Sequence, residues 1–141
     1  MIKLICVGKV KELYLREGIN EFVKRLSAFT RFEIIEIKDS AHEKEEKDIL
    51  SKIKNEKVFL LDEKGKEYTS YEFSELIKKE TYDRDVIFII GGPEGLSQEL
   101  KRKYPNIALS KMTFTHEMAR LFFVDQLYRA FTIMKNMKYH K

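Results

Sequence analysis

The sequence predicts an α/β domain with a mainly parallel sheet flanked by helices. Three observations lead there. Short apolar runs alternate along the chain with helix-like stretches, the order expected when helices connect parallel strands. Two of the runs, at residues 57–62 and 85–92, are almost continuously apolar, as strands buried on both faces are. No repeat, low-complexity tract or linker divides the 141 residues, so a single domain spanning 1–141 is expected.

The elements follow in order. "KLICVG" at residues 3–8 reads as the first strand. In the helix-like stretch after it, Ile19, Phe22, Val23 and Leu26 recur at helical spacing. "RFEIIEI" at 31–37 alternates as a second strand, with Phe32 and Ile34 turned inward. "HEKEEKDILSKIKN" is polar except for Ile49, Leu50 and Ile53 on one side. "KVFLLD" is the third strand, and "LDEKGKEYTS" after it reads as a loop. "SYEFSELIKKE" gathers Phe73, Leu76 and Ile77, with Ser70 as the expected N-cap. "DVIFIIGG" is the fourth strand and "NIALS" at 106–110 the fifth. The last helix, "THEMARLFFVDQLYRAFTIMKN", carries apolar residues around most of its circumference. It must be covered on more than one side, by its own fold or by a second subunit.

Composition narrows the function. No run approaches the roughly 18 apolar residues of a membrane span, and the start lacks the long apolar stretch of a signal peptide. With Cys6 as the only cysteine, no intrachain disulfide forms. A cytoplasmic protein without membrane attachment is expected. Residues 101–141 hold nine Lys or Arg against two acids, a net +7, which leaves the first hundred at −3. That asymmetry suits a polyanion partner or a solvated basic face.

Several chemistries fail. "GGPEGL" is neither G-x-G-x-x-G nor followed by G-K-[ST], which excludes the dinucleotide and phosphate-loop fingerprints. "HEMAR" has Arg120 where a second zinc ligand belongs, so no metal is expected. What remains is a ligand site outside the carboxyl ends of the strands. There "LLDEKG", "IIGGPEGL" and "LSKMTF" would meet. The glycines at 91, 92 and 95 serve a turn or the close approach of a ligand. Tyr139 and His140 end the chain among lysines, as a frayed tail or as groups that stack on a base and handle a proton.

"FIIGGPEGLS", "LSKMTFTHEMAR" and "DQLYRAFTIMKNMKYHK", in that order and spacing, resemble the RlmH family of SPOUT-class methyltransferases. The resemblance extends over essentially the whole chain. It implies a C-terminal trefoil knot, an exception to the usual unknotted topology, and a homodimer. It implies S-adenosylmethionine as methyl donor and N3 of a pseudouridine in 23S ribosomal RNA of the assembled ribosome as acceptor. By motif, the donor contacts are Leu61, Gly91, Leu109, Ser110, Lys111, Met112, Thr113 and Phe114. Arg129, Tyr139 and His140 match the residues the family uses at the target base. Thr115 stands where proline is frequent, and Asp125 where glutamate is usual. The alternatives are a non-catalytic RNA-binding module and a methyltransferase of the same class acting on another RNA, such as transfer RNA.

Overall fold

The computed structural model describes residues 1–140. It contains β1 (Ile2–Val7), α1 (Leu13–Leu26), β2 (Phe32–Ile37), α2 (His42–Ser51) and β3 (Lys57–Glu67). Then come α3 (Ser70–Glu80), β4 (Val86–Ile90), α4 (Gln98–Lys103), β5 (Asn106–Ala108) and α5 (His116–Met134). The strands form one sheet in the order β2-β1-β4-β3-β5, and every neighbouring pair is parallel.

Alternate strand residues feed two cores. Leu4, Cys6, Phe59, Phe88 and Ile90 pack beneath α1, α3 and α5 with Phe73, Phe123 and Leu127. Ile5, Val7, Leu60, Ile87 and Ile89 pack on the other face with Ile49 and Leu100, from α2 and α4. All five residues of β4 are buried, which accounts for its unbroken apolar sequence.

Much of the wrap-around apolar pattern of α5 is covered within the chain, while Phe122 and Ile133 stay half-buried. The helix packs against both α1 and α3, and Phe123, Val124, Leu127 and Ala130 are fully buried. Gly18 permits the approach of α1, since a Cβ there would lie 3.1 Å from Leu121 Cδ1. The glycine weakens helix α1 locally but allows this packing.

Two expectations are corrected. Thr69, not Ser70, caps α3: its hydroxyl accepts from the Glu72 N–H at 3.0 Å, and the Glu72 carboxylate accepts from the Thr69 N–H at 2.8 Å. This reciprocal capping box satisfies two donors at once. The segment after "KVFLL" is not simply a loop. β3 leaves β5 at Leu61 and rejoins it at Lys66, both residues pairing with Ile107. Residues 62–65 are a four-residue excursion opposite one residue. Gly65 is required there, because a Cβ would lie 2.6 Å from the Asn106 carbonyl carbon.

Candidate active site

The carboxyl ends of β3, β4 and β5 open into a cleft of about 1000 Å³. Each strand contributes the segment that follows it. From β3 come Leu61, Asp62 and Glu63; from β4 comes the glycine loop; from β5 come Leu109, Ser110 and residues 112–115.

The glycine loop closes on itself. The Gly95 N–H donates to the Gly92 carbonyl at 2.9 Å, and Gly95 has φ +72°, a left-handed conformation that favours glycine. A Cβ on Gly91 would lie 2.7 Å from the Gly95 carbonyl carbon. One on Gly92 would lie 3.1 Å from Val7 Cγ1. Close approaches to the loop's own backbone at Gly91 and to β1 at Gly92 therefore account for the two adjacent glycines. Ser97 then caps α4, accepting from the Leu100 N–H at 3.2 Å.

The loop after β5 is also tied down. The Ser110 hydroxyl accepts from the Met112 N–H at 3.0 Å, and the Thr113 hydroxyl donates to Glu63 across the cleft. Thr115 caps α5 by accepting from the Met118 N–H at 3.2 Å, a function of its own at the position where the family pattern often has proline. Phe114 packs edge-on against Phe122, ring centroids 4.9 Å apart. Lys111 does not line the cleft; its ammonium lies 3.6 Å from Glu67 and is largely exposed.

A fourth wall was missed in the sequence. Glu12, just before α1, and Tyr14 and Leu15 in its first turn line the cleft, and α5 holds the entry to that turn in place. One Glu117 oxygen accepts from the N–H groups of Lys11 at 2.8 Å and Glu12 at 3.3 Å. Burial works against the Glu117 carboxylate, but these two N–H groups hold its pKa below the ordinary value. Arg120, 3% exposed, donates to the Gly8 carbonyl at 3.0 Å and to Glu36 at 2.6 Å. "HEMAR" thus acts as a clamp. The available signal was Gly8, a glycine closing a strand, here at φ +89°.

Cys6 is buried in β1, and burial pushes its thiol up to about 12. It remains a protonated core residue. Among the described residues no group of three or more His, Cys, Asp or Glu is placed to hold a metal ion. No helix among the described residues is long and apolar enough to cross a membrane.

Arg129, Tyr139 and His140 come together elsewhere. Beyond α5, Asn136 takes a left-handed φ of 54° and the Met137 N–H returns to the Thr132 carbonyl at 2.8 Å. This turns the tail back along the helix. The Tyr139 hydroxyl donates to Asp125 at 2.6 Å, and its ring packs edge-on against Tyr128 at 4.8 Å. Arg129 lies 4.8 Å from the Tyr139 ring centroid and contacts His140 Nδ1 at 3.1 Å. Burial, with the Asp125 contact, raises the Tyr139 phenol to about 12, so it donates rather than ionises. None of the three lines the large cleft. A smaller cavity of about 280 Å³ borders both regions: Leu109 and Phe114 also line the cleft, and Asp125 belongs to the tail cluster.

A parallel α/β sheet with a cleft at its carboxyl edge and a tail folded back beside it defines the class. The family model described as a predicted SPOUT methyltransferase matches residues 1–140. The chain is similar in fold to a probable methylase family protein from Haemophilus influenzae Rd KW20, with TM-score 0.57 and 14% identity, covering 99% of this chain and 70% of that one. Similarity to TrmJ from Z. mobilis ZM4 has TM-score 0.54 at 8% identity, covering 92% and 70%. These two likenesses concern the fold alone.

Sequence similarity is much closer to proteins named ribosomal RNA large subunit methyltransferase H. That of Cytophaga hutchinsonii is 43% identical, covering 99% of this chain and 98% of the relative. That of Streptococcus uberis is 45% identical, covering 99% of each. The chain belongs to the SPOUT methyltransferase family and, within it, to the RlmH family.

Proposed function

We propose that this chain transfers a methyl group from S-adenosylmethionine to N3 of a pseudouridine in 23S ribosomal RNA of the assembled ribosome. The observation that carries the reading is a cleft with ample room for the donor, adjoined by a small cavity whose Asp125 holds the basic and aromatic cluster. The relatives' names, which specify large-subunit ribosomal RNA, supply the substrate class.

The cleft residues fit the donor. Leu61, Leu96, Leu109 and Phe114 offer apolar surface to a flat purine, while Asp62 and Glu63 offer acceptors to ribose hydroxyls. Glu12, Glu94 and Glu117 add negative charge, which suits a cationic ligand. When bound, S-adenosylmethionine supplies an electrophilic methyl on sulfur: N3 gains it, the C–S electron pair stays on sulfur, and the N3 proton passes to water.

The chain's own groups orient the base and stabilise its anion. Arg129, held by Asp125, places positive charge where a carbonyl oxygen becomes anionic. The guanidinium can only donate, so the His140 ring accepts at Nδ1, the tautomer with its proton on Nε2. His140 in this arrangement is a hydrogen-bond donor to the base rather than the acceptor of its proton. Tyr139, pinned through its hydroxyl, presents a ring edge beside the base.

The same reading comprises one domain over residues 1–141, a trefoil knot in its C-terminal part, a homodimer and a cytoplasmic location. The test is transfer of labelled methyl to intact ribosomes, separated subunits and protein-free ribosomal RNA, with mass spectrometry of the product. Label on one pseudouridine of assembled ribosomes is expected. Donor binding without transfer to any of these would redirect the search to other RNAs. Absence of both binding and transfer would leave an RNA-binding module.

A further inference from the structure

We infer that the smaller cavity is a reading pocket for the unstacked target base, with Asp125 and Gln126 as the pair that distinguishes pseudouridine from uridine. This rests on the methyl-transfer reading above. The cavity, about 280 Å³, has aromatic walls from Tyr68, Phe73, Phe114 and Phe122 and four polar side chains, Thr69, Ser70, Asp125 and Gln126; the Thr69 hydroxyl is already engaged as the cap of α3. It is small beside the donor cleft and suits a single ring. Aromatic walls stack on a base taken out of its helix.

The polar groups give the recognition its direction. The Ser70 hydroxyl donates to Gln126 Oε1 at 2.8 Å. That bond orients the amide and leaves its NH₂ group free to donate. Asp125 accepts from the Tyr139 hydroxyl at 2.6 Å and sits 3.4 Å from Arg129 through both oxygens. A carboxylate offers about four acceptor positions, so capacity for another N–H remains.

Consecutive in α5 and lining one cavity, Asp125 and Gln126 present an acceptor beside a donor. Their complement is a ring N–H beside a C=O. Pseudouridine has such an edge at N1–H and C2=O, and the N1–H is the group uridine replaces with C–H. Holding that edge leaves N3, on the far side of C2, open to the donor. With uridine, Asp125 would face a C–H, and a site built for an N–H rejects the analogue that lacks it.

The test compares ribosomes carrying pseudouridine at the methylated position with ribosomes carrying uridine there. Wild-type protein should favour pseudouridine by about 10- to 100-fold in kcat/KM. Asp125→Ala should bring that ratio close to one. Gln126→Glu, which replaces the donor with an acceptor, should lower kcat/KM on pseudouridine ribosomes about tenfold or more, with unchanged calorimetric affinity for S-adenosylmethionine. An unchanged ratio in Asp125→Ala would overturn the proposal. So would a Gln126→Glu defect that follows loss of self-association in sedimentation, because the cavity would then be filled by a second copy. If wild-type protein methylates neither ribosome, the methyl-transfer reading itself fails; if it is active while both variants behave as wild type, only the reading pocket fails.

Discussion

The guanidinium of Arg129 meets Nδ1 of His140 at 3.1 Å, a group that can only donate facing one that must accept. The imidazole proton is thereby held on Nε2. Nitrogen-15 chemical shifts at neutral pH should show that tautomer, and Arg129→Lys, which removes the planar fork, should disturb it. His140→Ala should lower methyl transfer by about 100-fold or more while leaving donor affinity near wild type. Equal loss of both would move the tail into the donor pocket, and full activity would remove His140 from the chemistry.

Glu117 carries a pH dependence. Its folded-state pKa lies below the unfolded one because, against the opposing effect of burial, Lys11 and Glu12 donate N–H bonds to the carboxylate. A depressed acid contributes stability above its unfolded pKa and loses it as pH falls through the folded value. Glu117→Ala should therefore cost stability at neutral pH and flatten the loss seen on acidification to about pH 3. Donor affinity should weaken in the same variant, because Glu12 and Tyr14 lose their support. Urea titrations at the two pH values and calorimetry at neutral pH check both parts.

The two ends of the glycine loop should respond differently. At Gly91 a Cβ would strike the Gly95 backbone at 2.7 Å. Gly91→Val should distort the loop, lowering stability by about 1–3 kcal/mol and donor affinity with it. At Gly95 a Cβ meets nothing within 4 Å, and only the φ of +72° opposes a side chain. Gly95→Ala should cost about 1–2 kcal/mol, and Gly95→Asn less, since asparagine tolerates that conformation. Chemical denaturation of the three variants decides the order.

Arg120 joins α5 to the ends of two strands through Gly8 and Glu36. Arg120→Met keeps much of the packing and removes both bonds. It should destabilise the fold by about 2–3 kcal/mol, measurable as a lower urea midpoint with an unchanged slope.

Much of this was legible because it is local. The buried runs of β3 and β4 have no polar alternation to misread, and the rule that ligands gather at the carboxyl ends of parallel strands located three walls of the cleft. The fourth wall depends on Glu117 reaching Lys11, 106 positions away, and no period or spacing encodes that. The glycine pair is ambiguous when read locally. It leaves a turn and a ligand contact equally open, and both bear on Gly91: it lines the cleft, and the nearest obstacle to a side chain there is Gly95. The tail reads as loose from its composition. Its fold depends on Asn136 adopting a left-handed turn and on Asp125 accepting from Tyr139, a pairing that composition does not reveal.

The excursion at residues 62–65 has a wider consequence. It departs from and returns to the same residue of β5, Ile107. Its ends are anchored by strand pairing whatever lies between them, so added length carries only a small closure cost. The rim of the cleft can therefore change in size and charge while the sheet beneath keeps its register. Residues 62–64 are where selection can retune this pocket without rebuilding the protein.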